Sequence, residues 1–407
     1  MVTAQDSRTP VATERVVATV IAVCAALAFV LRGVPRIRDA ALFAEDGQIF
    51  LADAHNDGLG AVVAPYAGYL HVVPRIVAAV FGPLDVTAAP TAYVWAAIVV
   101  HLMMLLPALS ARLEWLLPSP ILRAGLFASL ALMPPLWEPY GNIANLIFVA
   151  GISLLLLTLS ADPRSRWRRV AECVAVGVIG LSGPLIVLFT PFFVWRWWRN
   201  GRTTASAGVV AVAVVAAAVQ LSVYLTSSRS TPGGGTLVLL VKAAGEKVGG
   251  GWIAGDANVF VGTPHPWLTV AAYLWLGTVA VLSIVCIPRT AVVLWVLFGV
   301  LLYSAVNAYG PSLVGSATAF QRHVLVPTAI CITLLWAVLG SRGHLFAKVV
   351  ATICLVAGAV GVVHDFTPAP YPLRPDLSSV QECLDAGTQV CHQDIFDDGW
   401  SIDLDPA

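Results

Sequence analysis

Long apolar stretches recur along this chain between residues 16 and 363, and short polar connectors separate them. The stretches lack the apolar–polar alternation of a half-buried strand or of an outer-membrane barrel. Because a membrane-spanning helix needs about 20 predominantly apolar residues, the pattern predicts an all-α polytopic membrane protein. We expect about eleven segments, at 16–34, 88–109, 121–136, 143–159, 170–195 (two short helices), 204–225, 268–286, 291–307, 324–339 and 349–363.

The basic connectors orient this bundle, since Lys and Arg concentrate in cytoplasmic loops. The strongly basic run 162–169 is expected in the cytoplasm. Because the N-terminus and this run are both expected in the cytoplasm, an even number of segments must cross between them. The short apolar segment 69–84 is therefore expected to lie at the outer surface as a juxtamembrane helix and not to cross. The expected organisation is a cytoplasmic tail at 1–15, a transmembrane domain at 16–363 with external loops at about 35–87 and 226–267, and an extracytoplasmic tail at 364–407.

Two connectors interrupt the regular pattern. Stretch 170–195 is basic at both ends and contains Ser182 and Pro184 in its middle, so it predicts a hairpin of two helices broken near the outer leaflet. Loop 226–267 places a short amphipathic segment between two glycine runs. That arrangement fits either a lid with glycine hinges or an ordinary flexible loop.

Composition narrows the class of protein. Of the 407 residues, 58% are hydrophobic and only 11% are charged, which excludes a soluble globular domain. The formal net charge is zero, so no nucleic-acid partner is expected. The expected location is the cell (plasma) membrane, in contact with its lipids. Cys383 and Cys391 lie in the polar tail, where they either stay free or, if the tail is extracytoplasmic, form a short-loop disulfide.

The candidate chemistry begins with two adjacent carboxylates, Glu45 and Asp46, after the first apolar segment. A carboxylate beside an outer-leaflet cavity can take the proton of a hydroxyl acceptor and activate that acceptor for attack. Two neighbours on one backbone turn rarely face the same ligand. One is therefore expected to act as a base and the other to orient a group or bind a cation; the alternative is that both are solvated loop charges.

Two basic pairs are candidates for binding a lipid phosphate. His71 and Arg75 are four residues apart, on one face of a helix, and Arg offers paired donors to a phosphate. Arg322 and His323 open a later helix at the outer face, and a helix N-terminus attracts anions. Anchoring at the membrane interface is the alternative for both pairs.

Further polar side chains fall on the same expected face. A tight turn precedes His71, and a polar connector separates the predicted third and fourth segments. We assign substrate contacts to the side chains of these two connectors, Tyr66, Tyr69, Glu138, Asn142 and Asn145. Loop solvation and helix capping are the alternative for the last three.

The first loop resembles that of the GT-C superfamily of polyprenyl-phosphate-sugar-dependent glycosyltransferases, which includes protein O-mannosyltransferases and lipid A aminoarabinose transferases. The resemblance rests on the acidic pair at 45–46, Gly58, Pro65, Gly68 and His71-Val-Val-Pro74. It implies that the acidic pair supplies the catalytic carboxylate and that the helix after His71 lies on the outer surface.

The match is loose and covers about the first half of the chain. The acidic pair reads Glu-Asp instead of Asp-Glu, and the family's Pro-Pro-Leu is reduced to Pro74-Arg75-Ile76. Ser182-Gly183-Pro184 resembles the family's Lys-Gly-Pro helix break with Ser182 in place of Lys, which puts Ser182 among the candidate phosphate-binding residues. Some branches of the superfamily use a divalent cation; this sequence shows no motif for one.

The resemblance implies an inverting transferase that moves a sugar from a polyprenyl-phosphate donor to a glycan, lipid or protein acceptor of the cell envelope. A transporter or lipid flippase is the second hypothesis, but it calls for charges or paired broken helices at the membrane midplane, and the predicted helix centres carry almost none. A non-catalytic scaffold for envelope assembly is the third hypothesis.

Overall fold

The computed structural model describes residues 9–134, 136–227, 233–255, 266–316, 320–397 and 399–406. In chain order its helices are α1 (Thr9–Arg32), α2 (Val34–Arg38), α3 (Ala52–Asn56), α4 (Val72–Phe81), α5 (Ala89–Leu105), α6 (Pro120–Ala131), α7 (Leu146–Leu159), α8 (Arg166–Gly180), α9 (Leu185–Arg199), α10 (Thr204–Thr226), α11 (Leu237–Lys242), α12 (Gly251–Ala254), α13 (Pro266–Cys286), α14 (Pro288–Tyr309), α15 (Pro311–Gly315), α16 (Leu325–Gly340), α17 (Leu345–His364) and α18 (Ser378–Ala386). Strands β1 (Cys391–Phe396) and β2 (Trp400–Leu404) form an antiparallel hairpin. The π-helical turns are Asp46–Leu51 and Ala243–Gly250, and the 3₁₀ turns are Gly58–Val63, Val86–Ala88, Leu106–Leu109, Ala111–Leu113 and Gln321–Val324.

Within the described residues, seven helices are long and apolar enough to cross a membrane: α1, α5, α10, α13, α14, α16 and α17. The count of about eleven segments is not confirmed, because α6, α7, α8 and α9 have only 12, 14, 15 and 15 residues. Polar and proline positions shorten them. Ser119 caps α6 by accepting a hydrogen bond from the N–H of Ile121, and α6 ends three residues before Pro134, since the residue before a proline disfavours helix.

Helix α16 lies at the centre of the bundle. Nearly all of its side chains are buried, as are those of α7, and it contacts α6, α7, α13, α14 and α17. The remaining long helices leave many large apolar side chains exposed, as lipid-facing helices do.

The predicted break at Ser182–Pro184 is confirmed, because α8 ends at Gly180 and α9 begins at Leu185. A helix is also confirmed within segment 69–84. It has ten residues and is about 15 Å long, too short to span a bilayer.

The described part of loop 226–267 differs from the predicted hinged lid or flexible loop. This part is helical from Leu237 to Ala254, and the second of the two glycine runs, 249–251, lies inside this helix and is buried. The role of these glycines is close packing. A Cβ on Gly249 would lie 2.6 Å from the carbonyl oxygen of Ala272 in α13.

The C-terminal tail also differs from the all-α prediction, because it contains a β-hairpin. Helix α18 and the β1–β2 hairpin form a small module, and a disulfide joins Cys383 to Cys391. The module shares a hydrophobic core with the first loop, α4, α5 and the start of α7. We call residues 371–405 the C-terminal module.

Candidate functional site

The acidic pair divides into one buried carboxylate and one that faces a cavity. Asp46 is 1% exposed, and its Oδ1 and Oδ2 accept hydrogen bonds from the backbone N–H groups of Ala144 (2.8 Å) and Ile143 (3.1 Å). Burial raises the pKa of Asp46 well above its usual value, although the two N–H donors oppose the shift. Asp46 therefore fastens the first loop to the connector before α7.

Glu45 is half-buried and forms no hydrogen bond or ion pair with the described residues. It lines a small polar cavity of about 130 Å³. Five of the other eleven predicted site residues share this cavity: Tyr66, Tyr69, His71, Asn145 and Arg322. Of the two carboxylates, only Glu45 has a side chain placed to meet a ligand there.

A two-residue turn builds one wall of the polar cavity. Tyr66 and Tyr69 exchange backbone hydrogen bonds of 3.0 and 3.1 Å, and both residues between them have positive φ, 50° at Ala67 and 88° at Gly68. This is the conformation of a type I′ hairpin, in which glycine at the second central position is favoured. The His71 ring stacks on Tyr69 at 4.5 Å, and its Nδ1 lies 3.2 Å from the carbonyl oxygen of Tyr69, so the imidazole is held in place.

The opposite wall carries an ion pair that links distant parts of the chain. Arg322 Nη1 lies 2.5 Å from Glu138 Oε1, and the Arg322 backbone N–H donates to Oε2 at 3.2 Å. Arg322 Nε has no hydrogen-bond partner among the described residues. Burial raises the pKa of Glu138, and the charge of Arg322 opposes that shift. The Glu138 carbonyl also accepts hydrogen bonds from Asn142 (2.6 Å) and Asn145 (3.2 Å), which fixes the connector.

Arg75 does not reach the cavity predicted for the lipid phosphate. Its guanidinium is 2% exposed, pairs with Asp53 at 2.9 Å and lies 5.5 Å from the ring of Phe50. Arg75 lines neither cavity described here, so the structure does not bring it together with His71 at the polar cavity. The prediction missed Asp53 as the partner, although this carboxylate follows the acidic pair in the same loop.

Ser182 and Asn142 likewise support the backbone instead of facing a ligand. The Ser182 hydroxyl accepts from the N–H of Val73 (2.9 Å) and donates to the Val178 carbonyl (2.6 Å), which ties the helix break to the start of α4. Asn142 is fully buried, and its Oδ1 accepts from the Asn145 N–H at 2.9 Å.

A second, mostly apolar cavity of about 340 Å³ adjoins the polar one and extends between α9, α10, α14 and α16. Five residues line both cavities: Tyr69, Ile147, Phe148, Tyr309 and Arg322. We call the apolar cavity the groove. It contains His323, whose ring lies 4.5 Å from Tyr309 and 4.8 Å from Phe148.

The groove reaches the outer surface of the helix bundle. Leu221 and Tyr224 of α10 line it and remain 45% and 46% exposed, on a helix long enough to cross the membrane. A lipid chain could therefore enter the groove from the side. The sequence analysis did not predict the residues of the groove, because apolar side chains in membrane helices carry no local signal of a binding site. For Tyr309, the last residue of α14, the available signal was an aromatic residue at a helix end.

Among the described residues, no group of three or more His, Cys, Asp or Glu side chains is placed to hold a metal ion. The chain matches no family model, no curated protein and no solved structure. Its function must therefore be inferred from the site.

Proposed function

We propose that this protein transfers a sugar from a polyprenyl-phosphate donor to a cell-envelope acceptor, with Glu45 as general base. One observation carries the proposal: Glu45 and Arg322 line a polar cavity that shares a wall with an apolar groove open to the bundle surface. An amphiphilic ligand with a charged group between a polar head and an apolar chain matches that arrangement.

The ligand is positioned by its three chemical parts. The first isoprene units occupy the groove beside Leu221 and Leu301, and the rest of the chain stays in the bilayer. The phosphate lies at the junction, where Arg322 lines both cavities and can donate through Nε. The sugar enters the polar cavity, where Tyr66 and Tyr69 contribute aromatic side chains to the wall.

The reaction is a single displacement at the anomeric carbon. Glu45 takes the proton of the acceptor hydroxyl while the oxygen of that hydroxyl forms a bond to the anomeric carbon. The bond from the anomeric carbon to the phosphate oxygen breaks, and polyprenyl phosphate leaves. The sugar is transferred with inverted configuration at its anomeric carbon. Arg322 stabilises the charge that develops on the phosphate. Asp46, occupied by two backbone N–H groups, keeps Glu45 in place.

The proposal includes a topology. The four shorter helices α6 to α9 complete a GT-C-like bundle of about eleven segments, with the N-terminus in the cytoplasm and the C-terminal module outside. Local bilayer thinning accommodates short spans at modest cost. The disulfide of the module supports an extracytoplasmic location, because disulfides persist in oxidising compartments.

The direct test is transfer of radiolabelled sugar by purified protein in nanodiscs, with a panel of polyprenyl-phosphate sugars and envelope acceptors. Glu45→Gln should lower the rate by about 10²–10⁴-fold, the usual contribution of a general base. Glu382→Gln, an exposed change of the same type, should leave the rate unaltered. Equal rates for wild type and Glu45→Gln would contradict the role of Glu45, and movement of labelled lipid across vesicles without transfer would favour a flippase.

A further inference from the structure

The C-terminal module packs directly on the loop that carries the candidate base. A Cβ on Gly47 would lie 2.1 Å from Ile395 Cδ1 and 2.9 Å from Ile402 Cγ2, so the hairpin touches the backbone two residues from Glu45. Phe43 packs against Tyr371 at 5.4 Å and against Phe396 at 5.3 Å between ring centroids. The loop is thus enclosed by the module on the side away from the cavity.

Tyr371 connects the module to the other wall of the site. Its buried hydroxyl accepts hydrogen bonds from Asn142 (2.9 Å) and Arg36 (2.9 Å) and donates to the carbonyl of Tyr140 (3.2 Å). Burial raises the pKa of Tyr371 to about 12, so the hydroxyl keeps the proton it donates at neutral pH. Asn142 in turn binds the carbonyl of Glu138, the partner of Arg322.

Further polar contacts hold the module against the first loop. The His55 ring donates to the carbonyl of Asp405 (3.0 Å), Asn56 Nδ2 donates to the carbonyl of Asp403 (3.1 Å), and the N–H of Val86 donates to Gln381 Oε1 (3.0 Å). The disulfide joins α18, which carries Gln381, to β1, which carries Ile395. It is a covalent cross-link, in addition to the backbone at 387–390, between the two parts of the module that contact the loop.

The module itself does not line the site. No described residue from 365 onward borders the polar cavity or the groove. Any effect of the module on transfer must therefore pass through the residues it holds, Glu45 on one wall and Arg322, through Asn142 and Glu138, on the other.

We propose that the C-terminal module is a positioning element, which holds Glu45 in register with Arg322 and depends on the Cys383–Cys391 disulfide to do so. The positioning role rests on the proposed function; the mechanical coupling between disulfide and loop does not. A consequence is that the protein reaches full activity only after the disulfide has formed. Tyr371 is the positioning residue that links both walls.

The test compares hydrogen–deuterium exchange and transfer in the full chain, with the disulfide intact or opened by a reductant and the opening verified by mass. Opening should increase exchange of peptides covering 43–51 and 138–145 and lower kcat on the order of tenfold or more, as small misplacements of reacting groups do. The melting temperature of the helix bundle should stay within a few degrees. Cys383→Ser should behave like reduced wild type and be insensitive to reductant, whereas Cys24→Ser, an exposed change in α1, should behave like oxidised wild type.

Tyr371→Phe gives a second arm that keeps the aromatic packing. It removes the hydroxyl that Asn142 and Arg36 bind, so kcat should fall while the KM for the lipid donor stays unchanged, and Tyr371→Leu should be worse than Tyr371→Phe. Unchanged exchange at 43–51 after the disulfide opens would overturn the coupling whether or not transfer is observed. Increased exchange with an unchanged kcat would overturn the positioning role, and increased exchange in a protein that transfers no sugar would overturn the proposed function alone.

Discussion

Asp46→Asn should reduce stability while leaving the chemistry in place, because backbone amides occupy the Asp46 carboxylate. The wild-type side chain offers an acceptor oxygen to each of two buried N–H groups, those of Ile143 and Ala144. Asn offers one oxygen and turns an NH₂ group toward the other N–H. One buried donor is left unsatisfied, which costs about 1–3 kcal/mol.

The pH dependence of this loss has a definite sign. Burial raises the folded-state pKa of Asp46 above its ordinary value of 3.8. A carboxyl with a raised pKa gives its full stabilising contribution below the unfolded-state pKa and loses it as the pH rises through the folded-state pKa. The stability difference between wild type and Asp46→Asn should therefore shrink as the pH is raised above about 4.

The assay is thermal unfolding in nanodiscs over a pH series, paired with transfer measured on the folded fraction. Asp57→Asn, an exposed change in the same loop, is the control and should match wild type in both measurements. Asp46→Asn should melt a few degrees lower and transfer sugar at a rate within several-fold of wild type. A wild-type melting temperature combined with a transfer loss of 10²-fold or more would refute the division of roles, since it would make Asp46 the base.

Three further changes test separate parts of the structure. Gly47→Val forces a side chain against Ile395 and should cost about 1–3 kcal/mol by overpacking, read as a lower melting temperature; an unchanged melting temperature would mean that the hairpin does not pack there. Ser182→Ala leaves the Val73 N–H without its acceptor and should cost about 1–3 kcal/mol, so stability equal to wild type would contradict that contact. Ala305→Trp fills the groove and should raise the KM for the lipid donor on the order of tenfold, about 1.4 kcal/mol, with kcat little changed; an unaltered KM would place the lipid elsewhere.

Local signals in the sequence predicted much of the backbone. The run Ser182-Gly183-Pro184 interrupts a long apolar stretch, so the break between α8 and α9 could be predicted from the chain alone, whereas Pro191 lies inside α9 without ending it. Helix bounds were predicted less well, since hydropathy does not show a capping residue such as Ser165, which starts α8 inside the basic run 162–169.

The hairpin of the C-terminal module was missed despite a usable signal. Residues 400–404 alternate apolar and polar side chains, as a half-buried strand does, and Ile402 and Leu404 are buried. The many aspartates around them suggested a polar tail. Their apolar partners lie about 350 residues away in the first loop, a distance at which a single sequence gives no pairing information.

The candidate site shows the same limit. Residue type and predicted face brought together Glu45, His71, Asn145 and Arg322, all of which line one cavity. The sequence could not separate Glu45 from Asp46, nor show that Arg75 turns inward to Asp53, because both outcomes depend on side-chain partners from other elements.

The most direct test of the account is a cryo-EM structure of the Glu45→Gln variant with a bound polyprenyl-phosphate sugar. The account predicts the isoprenoid chain in the groove between α10 and α14, the phosphate on the Arg322 guanidinium, and the anomeric carbon facing position 45. Density for the phosphate at another face of the bundle, with the groove and the polar cavity free of the donor, would contradict it.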